Sequence, residues 1–197
     1  MQALAKIAVR SCTAAHVEGL LAERTGARFA IVTRTEGAAR RLSVAALELR
    51  AGDEVVVAPG TARDVLAAVL ASGARPVFAD VAATDGCLTP ASVAAALTPA
   101  TRAVLVPHPH GKGAPTAQLA LVAAAGAPGD DSAHGIRVVE DGTDAFLAET
   151  PDGRPVGSGG DLGFFAFPGI GFGVVVTNDR GIADRVRRLR DSGYPQP

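Results

Sequence analysis

Two β-rich runs stand almost side by side in residues 163–179, which read GFFAFPGIGFGVVVTND. The runs are joined only by Gly169, Ile170, Gly171 and Phe172, and the whole stretch contains no lysine. A connection between parallel strands needs a dozen or more residues, so this short one predicts an antiparallel hairpin.

Along the rest of the chain, apolar β-branched runs alternate with Ala- and Leu-rich amphipathic stretches. This alternation is typical of βαβ units, whose mainly parallel sheet is covered by helices on both faces. We therefore predict an α/β fold with three layers, α/β/α, around a mainly parallel, seven-stranded mixed sheet. The predicted strands are Phe29–Thr33, Glu54–Pro59, Arg75–Val81, Ala103–Pro109, Arg137–Gly142, Gly163–Phe167 and Gly173–Thr177.

The predicted helices fill the gaps between these strands. Thr61 and Asp64 form a capping pattern before VLAAVLASG, and Thr89 with Pro90 places a cap and a first-turn proline before ASVAAAL. A polar insertion, APGDDSAHG, occupies Ala127–Gly135. The other predicted helices are Ala14–Thr25, Glu36–Leu49, Thr116–Ala125 and Gly181–Asp191.

Composition restricts the class of protein. A length of 197 residues suits one domain, and a net charge of −1 with 20% charged residues predicts neither a nucleic-acid partner nor a membrane surface. No apolar run approaches the ~20 residues that a membrane span needs, and no secretory signal is visible, so we expect a soluble, cytoplasmic protein. Cys12 and Cys87 are too few for a disulfide framework or a metal cluster, so we predict no metal site.

Seven segments in a fixed order carry a resemblance that extends from about Val17 to Gly193. They read LLAERTGARFAIV, LRAGDEVVVAP, LASGARPVFADV, LTPASVAAALTPATRAVLVPHPHG, VVEDGTDAF, GSGGDLGFFAFP and GVVVTNDRGIADRVRRLRDSG. With them the chain resembles the large domain of the DegT/DnrJ/StrS sugar aminotransferases, fold-type I pyridoxal-phosphate enzymes of deoxysugar and antibiotic biosynthesis. The resemblance implies a further C-terminal small domain, which has no counterpart in this sequence. We therefore expect a truncated, degenerate member with a single domain over residues 1–197.

The resemblance also implies a cofactor site, and most of its parts are changed here. The family's phosphate-binding turn aligns with Thr35, Glu36 and Gly37, where Glu36 brings a carboxylate to a phosphate position. The loop that supplies a stacking aromatic ring in the family is Gly60–Ala62, and Ala166 stands where a serine contacts the phosphate. The connection that carries the family's imine-forming lysine is several residues shorter. We therefore predict no cofactor and the loss of transamination.

Two parts of the implied site are retained. Asp141 aligns with the aspartate that pairs with the pyridine nitrogen, and His108 aligns with a histidine at a strand end. Since strand carboxyl ends line the ligand crevice in such sheets, we expect a cluster of polar residues there. The predicted catalytic residues are His108, Asp141, His110 and Asp144, a histidine–carboxylate set suited to acid/base chemistry. The predicted substrate-binding residues are Thr33, Glu36, Thr61, Lys112 and Thr143.

Structural interpretations stand beside these functional ones. Asp141 could cap a turn, and His108 and His110, which flank Pro109, could satisfy backbone carbonyls at the strand end. The basic run Arg185–Arg190 is typical of a solvated or dimer-facing helix side.

Three functional hypotheses follow. The first is a cofactor-independent acid/base enzyme of specialised metabolism that cyclises, dehydrates or isomerises a small pathway intermediate. The second is a non-catalytic partner, in a homodimer or in a heterodimer with a full-length aminotransferase, that stabilises or regulates the intact enzyme. The third is a residual pyridoxal-phosphate binder that uses Lys112.

Overall fold

The computed structural model describes residues 13–126, 135–167 and 169–192. Within these residues, helices and strands alternate as the sequence predicts. The helices are α1 (Ala14–Thr25), α2 (Glu36–Ala45), α3 (Arg63–Ala71), α4 (Pro90–Ala96), α5 (Thr116–Gly126) and α6 (Arg180–Ser192), with a 3-10 turn at Pro109–Gly111. The strands are β1 (Phe29–Thr33), β2 (Glu54–Val57), β3 (Arg75–Phe78), β4 (Thr101–Pro107), β5 (Arg137–Asp141), β6 (Leu162–Phe167) and β7 (Phe172–Thr177).

The seven strands form one mixed sheet in the order β1-β7-β6-β5-β4-β2-β3. Strand β7 runs antiparallel to both β6 and β1, and the other neighbouring pairs are parallel. The β6–β7 hairpin is tight, with Phe167 opposite Phe172. Gly169 (φ +87°) and Gly171 (φ +79°) adopt a left-handed backbone in its turn, which other residues reach only with strain. The predicted antiparallel hairpin and mixed sheet are confirmed.

Alternating side chains of each strand enter two different cores, because successive residues point to opposite faces of a sheet. Val139 packs in the core beneath α2, α3 and α6. Val138 packs on the other face, in the core that includes α5. The predicted three-layer arrangement is therefore confirmed, and residues 140 and 141 must also leave the sheet on opposite faces.

Two local expectations need correction, and a third is not tested. The Thr61–Asp64 capping prediction is wrong: α3 has Ala62 at its N-cap, without a side-chain cap, whereas Thr89 caps α4 as predicted. Strand β3 ends at Phe78 rather than Val81, because its partner β2 ends opposite it at Val57. The predicted polar insertion lies outside the described residues except for Gly135.

The basic run of α6 is less solvated than expected. Arg185 contacts Glu48 at 2.8 Å and donates a hydrogen bond to the carbonyl of Ala46 at 2.9 Å. Arg190 donates to Glu18 of α1 at 2.9 Å and to the carbonyl of Val32 at 3.2 Å. These two arginines therefore attach the last helix to α1, β1 and the end of α2. No helix of the described residues has both the length and the apolar character that a membrane crossing requires.

Candidate functional site

Strand β7 is antiparallel to both β1 and β6, so β1 runs in the same direction as β2–β6. These six strands therefore have their carboxyl ends at one edge of the sheet. In open α/β sheets this edge is where ligands bind. The predicted site residues all follow or end these strands: Thr33 and Glu36 after β1, Thr61 after β2, His108, His110 and Lys112 after β4, and Asp141, Thr143 and Asp144 at β5.

These residues differ widely in exposure. His110, Lys112 and Asp144 are exposed, and Glu36 and Thr143 are half-buried. The buried members are Thr33, Thr61, His108 and Asp141. Thr33 is used by the fold, since its hydroxyl donates to the carbonyl of Thr35 at 2.9 Å.

The imidazole of His108 is fully buried and has both nitrogens in hydrogen bonds. Its Nε2 lies 2.9 Å from Glu140 Oε2, and its Nδ1 accepts the backbone N–H of Ala114 at 2.9 Å. Since Nδ1 is an acceptor, the ring proton resides on Nε2 and is donated to Glu140. His108 is therefore neutral, and it bonds a backbone N–H rather than the carbonyl that we expected.

Glu140 is the fully buried carboxylate at the centre of this arrangement. Besides His108, it accepts the N–H groups of Gly159 and Gly160 at 2.8 and 2.9 Å and the hydroxyl of Thr116 at 3.1 Å. Burial works to raise the pKa of Glu140, but the hydrogen bonds from His108 and Gly160 hold it below its ordinary value. An ionised carboxylate is thus kept inside the protein by four donors.

Asp141 enters the opposite face of the sheet. Its carboxylate accepts the N–H of Thr143 at 3.0 Å. Burial raises the pKa of Asp141, while hydrogen bonding to Thr143 and the positive charge of Arg40 act against that rise. This carboxyl group therefore remains closer to protonation than an ordinary aspartate.

The expected pairing of His108 with Asp141 or Asp144 does not form. The backbone N–H of His108 donates to the carbonyl of Asp141 at 3.0 Å, but the imidazole turns to Glu140 on the other face. The carboxylate that contacts the imidazole is instead Glu140, which is not among the predicted residues.

Arg40 of α2 is the cation on the Asp141 side of the sheet. Its Nη1 lies 3.6 Å from Asp64 at the start of α3, and its Nε is buried without a hydrogen-bond partner among the described residues. The buried hydroxyl of Thr61 likewise has no partner among these residues. Two buried polar groups without partners among the described residues thus lie at the carboxyl ends of the strands, and Arg40 is the one near Asp141.

Sequence reasoning missed both Glu140 and Arg40. Glu140 could have been found from the sequence, because a charged residue inside the buried strand VVED needs a hydrogen-bonding or charged partner. Arg40 had none, since only the packing of α2 over the sheet brings it near β5.

The pyridoxal phosphate implied by the resemblance can be tested against the groups present. Asp141 suits a pyridinium nitrogen. The N-terminus of α2, however, carries Glu36, and the hydroxyl of Thr35 accepts the N–H of Ala38 as the helix cap. The described hairpin residues Gly169–Gly171 offer no amine, and the lysine among the described residues, Lys112, is exposed beyond the 3-10 turn. These residues do not fit a cofactor held through a lysine of the hairpin.

Comparison with known proteins gives a consistent result. The model of the DegT/DnrJ/EryC1/StrS aminotransferase family matches residues 7–197. The UDP-N-acetyl-3-dehydro-alpha-D-glucosamine 3-aminotransferase of Acidithiobacillus ferrooxidans is 38% identical over 160 residues, which are 77% of this chain and 41% of that protein. The L-glutamine:2-deoxy-scyllo-inosose aminotransferase of Streptoalloteichus tenebrarius is 38% identical over 154 residues, 74% of this chain and 34% of that protein.

Solved structures give the same result for the fold. The structure of S. venezuelae DesV in complex with a ketimine intermediate superposes with a TM-score of 0.82 at 29% sequence identity. The match covers 99% of this chain and 53% of the DesV chain. The aminotransferase from Psychrobacter cryohalolentis gives a TM-score of 0.81 at 30% identity over 91% of this chain and 45% of its own. The chain thus spans from about a third to half the length of these proteins.

Proposed function

The chain belongs to the DegT/DnrJ/EryC1/StrS aminotransferase family, and from this premise we propose that it is an aminotransferase-like protein of amino-sugar or aminocyclitol metabolism that works without a lysine imine. In this proposal the crevice binds a small keto intermediate and moves a proton on it, with Asp141 as the acid/base group. No cofactor takes part.

The single observation that carries the proposal is the state of Asp141. It lies at the carboxyl end of β5, buried, with its pKa raised by that burial. An acid/base group works best when its pKa lies near the operating pH, so a raised aspartate pKa favours proton transfer. Catalytic roles for His110 and Asp144 stay predictions, and both groups are exposed at the rim of the same crevice.

The simplest reaction for such a group is proton transfer beside a ketone. The ionised carboxyl group of Asp141 takes a proton from a carbon next to the carbonyl, and the electron pair of that C–H bond moves into an enolate. The protonated Asp141 then returns the proton to the same carbon, which epimerises it if the other face is protonated. It can also return the proton to the former carbonyl carbon, provided that the hydroxyl proton of the deprotonated carbon moves to the former carbonyl oxygen, and this isomerises the ketone. In a dehydration, a hydroxyl group on the β carbon leaves as water with the proton that Asp141 carries, and the electron pair of the enolate forms the new C=C bond.

A ketone is the substrate class that the relatives support. The Acidithiobacillus relative is named for a 3-dehydro sugar, and the Streptoalloteichus relative is named for an inosose. Polyhydroxylated substrates of this kind need hydroxyl and charged partners. In this proposal the substrate is bound by Thr61, Thr143, Thr33, Glu36 and Lys112. The role of Thr61 has the most direct support, because its buried hydroxyl has no hydrogen-bond partner among the described residues.

Deuterium exchange tests the proposal. Scyllo-inosose, 2-deoxy-scyllo-inosose and UDP-N-acetyl-3-dehydro-glucosamine are each incubated with the protein in D2O, and loss of the signal of the proton next to the ketone is followed by NMR. We expect exchange above the buffer rate with at least one compound and a loss of about 100-fold or more in Asp141→Asn. Exchange at the buffer rate with all three, or full activity in Asp141→Asn, would overturn the proposal.

Lys112 is tested separately by borohydride reduction in the presence of pyridoxal phosphate. Lys6 is the other lysine of the sequence and serves as the internal reference in peptide mass spectrometry. We expect Lys112 to be modified no more than Lys6. Stoichiometric modification confined to Lys112 would instead support a residual pyridoxal-phosphate binder.

A second candidate is the non-catalytic partner, as a homodimer or together with a full-length aminotransferase. It is favoured by the full use of His108 by the fold and by the apolar hairpin tip, where Ile170 is 73% exposed. Co-elution with a full-length family member, and a rise in that enzyme's activity that survives Asp141→Asn but not Ile170→Glu, would support this role instead.

A further inference from the structure

We propose that the buried His108–Glu140 pair is a positioning unit, which joins the carboxyl end of β4 to that of β5 and so fixes the Asp141 side chain in the crevice. The chemical role of Asp141 rests on the proposed function, whereas its placement does not. His108 and Glu140 act only through Asp141 and do not contact a substrate.

The pair connects segments that are far apart in sequence. Glu140 on β5 receives hydrogen bonds from His108 after β4, from Thr116 at the start of α5 and from Gly159 and Gly160 before β6. His108 in turn receives the N–H of Ala114, which closes the loop between β4 and α5. A single buried carboxylate thus attaches three segments to β5: the end of β4, the start of α5 and the loop before β6.

The connection to Asp141 runs through the backbone. Asp141 stands opposite Pro107 in the β4–β5 register, and its carbonyl accepts the N–H of His108 at 3.0 Å. On the other side, the N–H of Gly142 donates to the carbonyl of Phe164 at 2.9 Å. Because Glu140 and Asp141 alternate across the sheet, a displacement of Glu140 would rotate Asp141 out of its site.

The backbone around Asp141 is closely packed, so it has little room to shift and compensate for a change in the His108–Glu140 pair. A methyl group on Gly160 would lie 2.6 Å from the carbonyl oxygen of Val138, so the segment that donates to Glu140 lies directly against β5. A methyl group on Gly142 would lie 2.3 Å from the ring of Phe165. Close packing therefore restrains β5 before Asp141, through the segment at Gly160, and after it, through the ring of Phe165.

The charged groups on the Asp141 side come from three elements. Arg40 faces Asp141 from α2, Asp144 lies in the loop after β5, and Asp64 at the start of α3 faces Arg40. His108 is neutral, so a substitution that removes its hydrogen bonds leaves all of these charges in place. Such a variant separates a change in position from a change in charge.

The test is the titration of the Asp141 side-chain carboxyl by carbon NMR in the wild-type chain and in His108→Gln, Glu140→Gln and Thr116→Val. Loosening the pair admits water to Asp141, and water lowers the cost of ionising a buried carboxyl group. We expect the titration midpoint to move downward in His108→Gln, and by less in Thr116→Val, which removes one donor only. Glu140→Gln also removes a negative charge beside Asp141, so its downward shift supports the proposal only when His108→Gln shows one as well. Nitrogen NMR of wild-type His108 should show Nδ1 without a proton.

Glu54 supplies the matched control. It is also a buried carboxylate on a strand, bonded to Thr98 and Arg75, but it lies at the opposite edge of the sheet. Glu54→Gln should leave the Asp141 midpoint unchanged.

An Asp141 midpoint that stays at the wild-type value in the folded variants that keep the charges, His108→Gln and Thr116→Val, would overturn the proposal. If His108→Gln fails to fold, Thr116→Val alone decides. A protonated Nδ1 on His108 would also overturn it. Neither result depends on turnover, so the positioning role and the acid/base role can fail separately.

Discussion

Glu140 and Asp141 are adjacent in β5, and the pKa values of their carboxyl groups are shifted in opposite directions on the two faces of the sheet. Burial acts to raise the pKa of both. The pKa of Glu140 is nevertheless lowered, because four hydrogen-bond donors stabilise its ionised form. Asp141 has fewer such donors and its pKa is raised. Pairs of carboxyl groups whose pKa values are pushed apart by their surroundings are typical of divided roles.

Replacement of Asp141 by Asn should stabilise the fold at neutral and alkaline pH. A group whose pKa is higher in the folded state binds protons more tightly there, so folding becomes less favourable as the pH rises through the folded pKa. Below the unfolded pKa the wild-type carboxyl is protonated in both states and the advantage of Asn disappears. Urea unfolding of Asp141→Asn at a series of pH values measures this difference.

The exposed Asp144 is the control for that series. Asp144→Asn should change the free energy of unfolding by no more than about 0.5 kcal/mol at any pH. A lower stability of Asp141→Asn than wild type at pH 8 would contradict the raised pKa and would mean that Arg40 stabilises the ionised form.

His108→Ala should destabilise the protein by about 3 kcal/mol, because it leaves a cavity and removes a buried hydrogen-bond partner from both Glu140 and Ala114. His110→Ala, two residues away and exposed, should change stability by no more than about 0.5 kcal/mol. Denaturant unfolding of the two variants side by side measures the contrast. Equal effects would mean that the His108 network adds little to stability.

Gly113→Ala should lower the free energy of unfolding by about 1–3 kcal/mol. A methyl group at Gly113 would lie 2.2 Å from the carbonyl oxygen of Glu149, and the backbone there cannot yield as a flexible side chain would. The displaced segment carries Ala114, so the N–H bond to His108 should weaken too. Gly60→Ala, with open space around its methyl position, is the control and should unfold at nearly the wild-type denaturant concentration.

Much of the fold could be predicted from the sequence because local signals and the sheet agree. The two β runs around Gly169–Gly171 permit only a hairpin, and Thr89 with Pro90 fixes the start of α4. Thr61 shows the opposite case: it has the capping pattern, but Ala62 takes the N-cap position and the Thr61 hydroxyl is buried without a partner. A pattern in sequence cannot tell whether tertiary packing leaves the side chain free to cap.

The meeting of the two strand ends could be predicted, but the side chain that contacts His108 could not. The end of β4 and the end of β5 were correctly expected to meet, since both are carboxyl ends of neighbouring parallel strands. Which carboxylate contacts His108 depends on the face of the sheet, and the prediction names Asp141 rather than Glu140. Alternation within β5 sends Val138 and Glu140 to the α5 side, and this alone decides the pairing.

Leu147→Gly should raise the free energy of unfolding by about 0.5–1 kcal/mol. Leu147 has a left-handed backbone (φ +67°), although it is 55% exposed and so gains little from packing. That conformation costs a residue with a Cβ atom roughly 1–2 kcal/mol, and glycine avoids the cost at the expense of about 0.5–1 kcal/mol of chain entropy. Leu147→Ala keeps the Cβ atom and should not raise the free energy of unfolding. The difference between the Gly and Ala variants in urea unfolding therefore measures the effect of the backbone conformation alone. Equal stabilities for the two would contradict a left-handed backbone at residue 147. A gain in stability for Leu147→Gly together with slower deuterium exchange on the keto substrates would mean that the strain in this loop, which follows Asp141 and Asp144, serves the crevice.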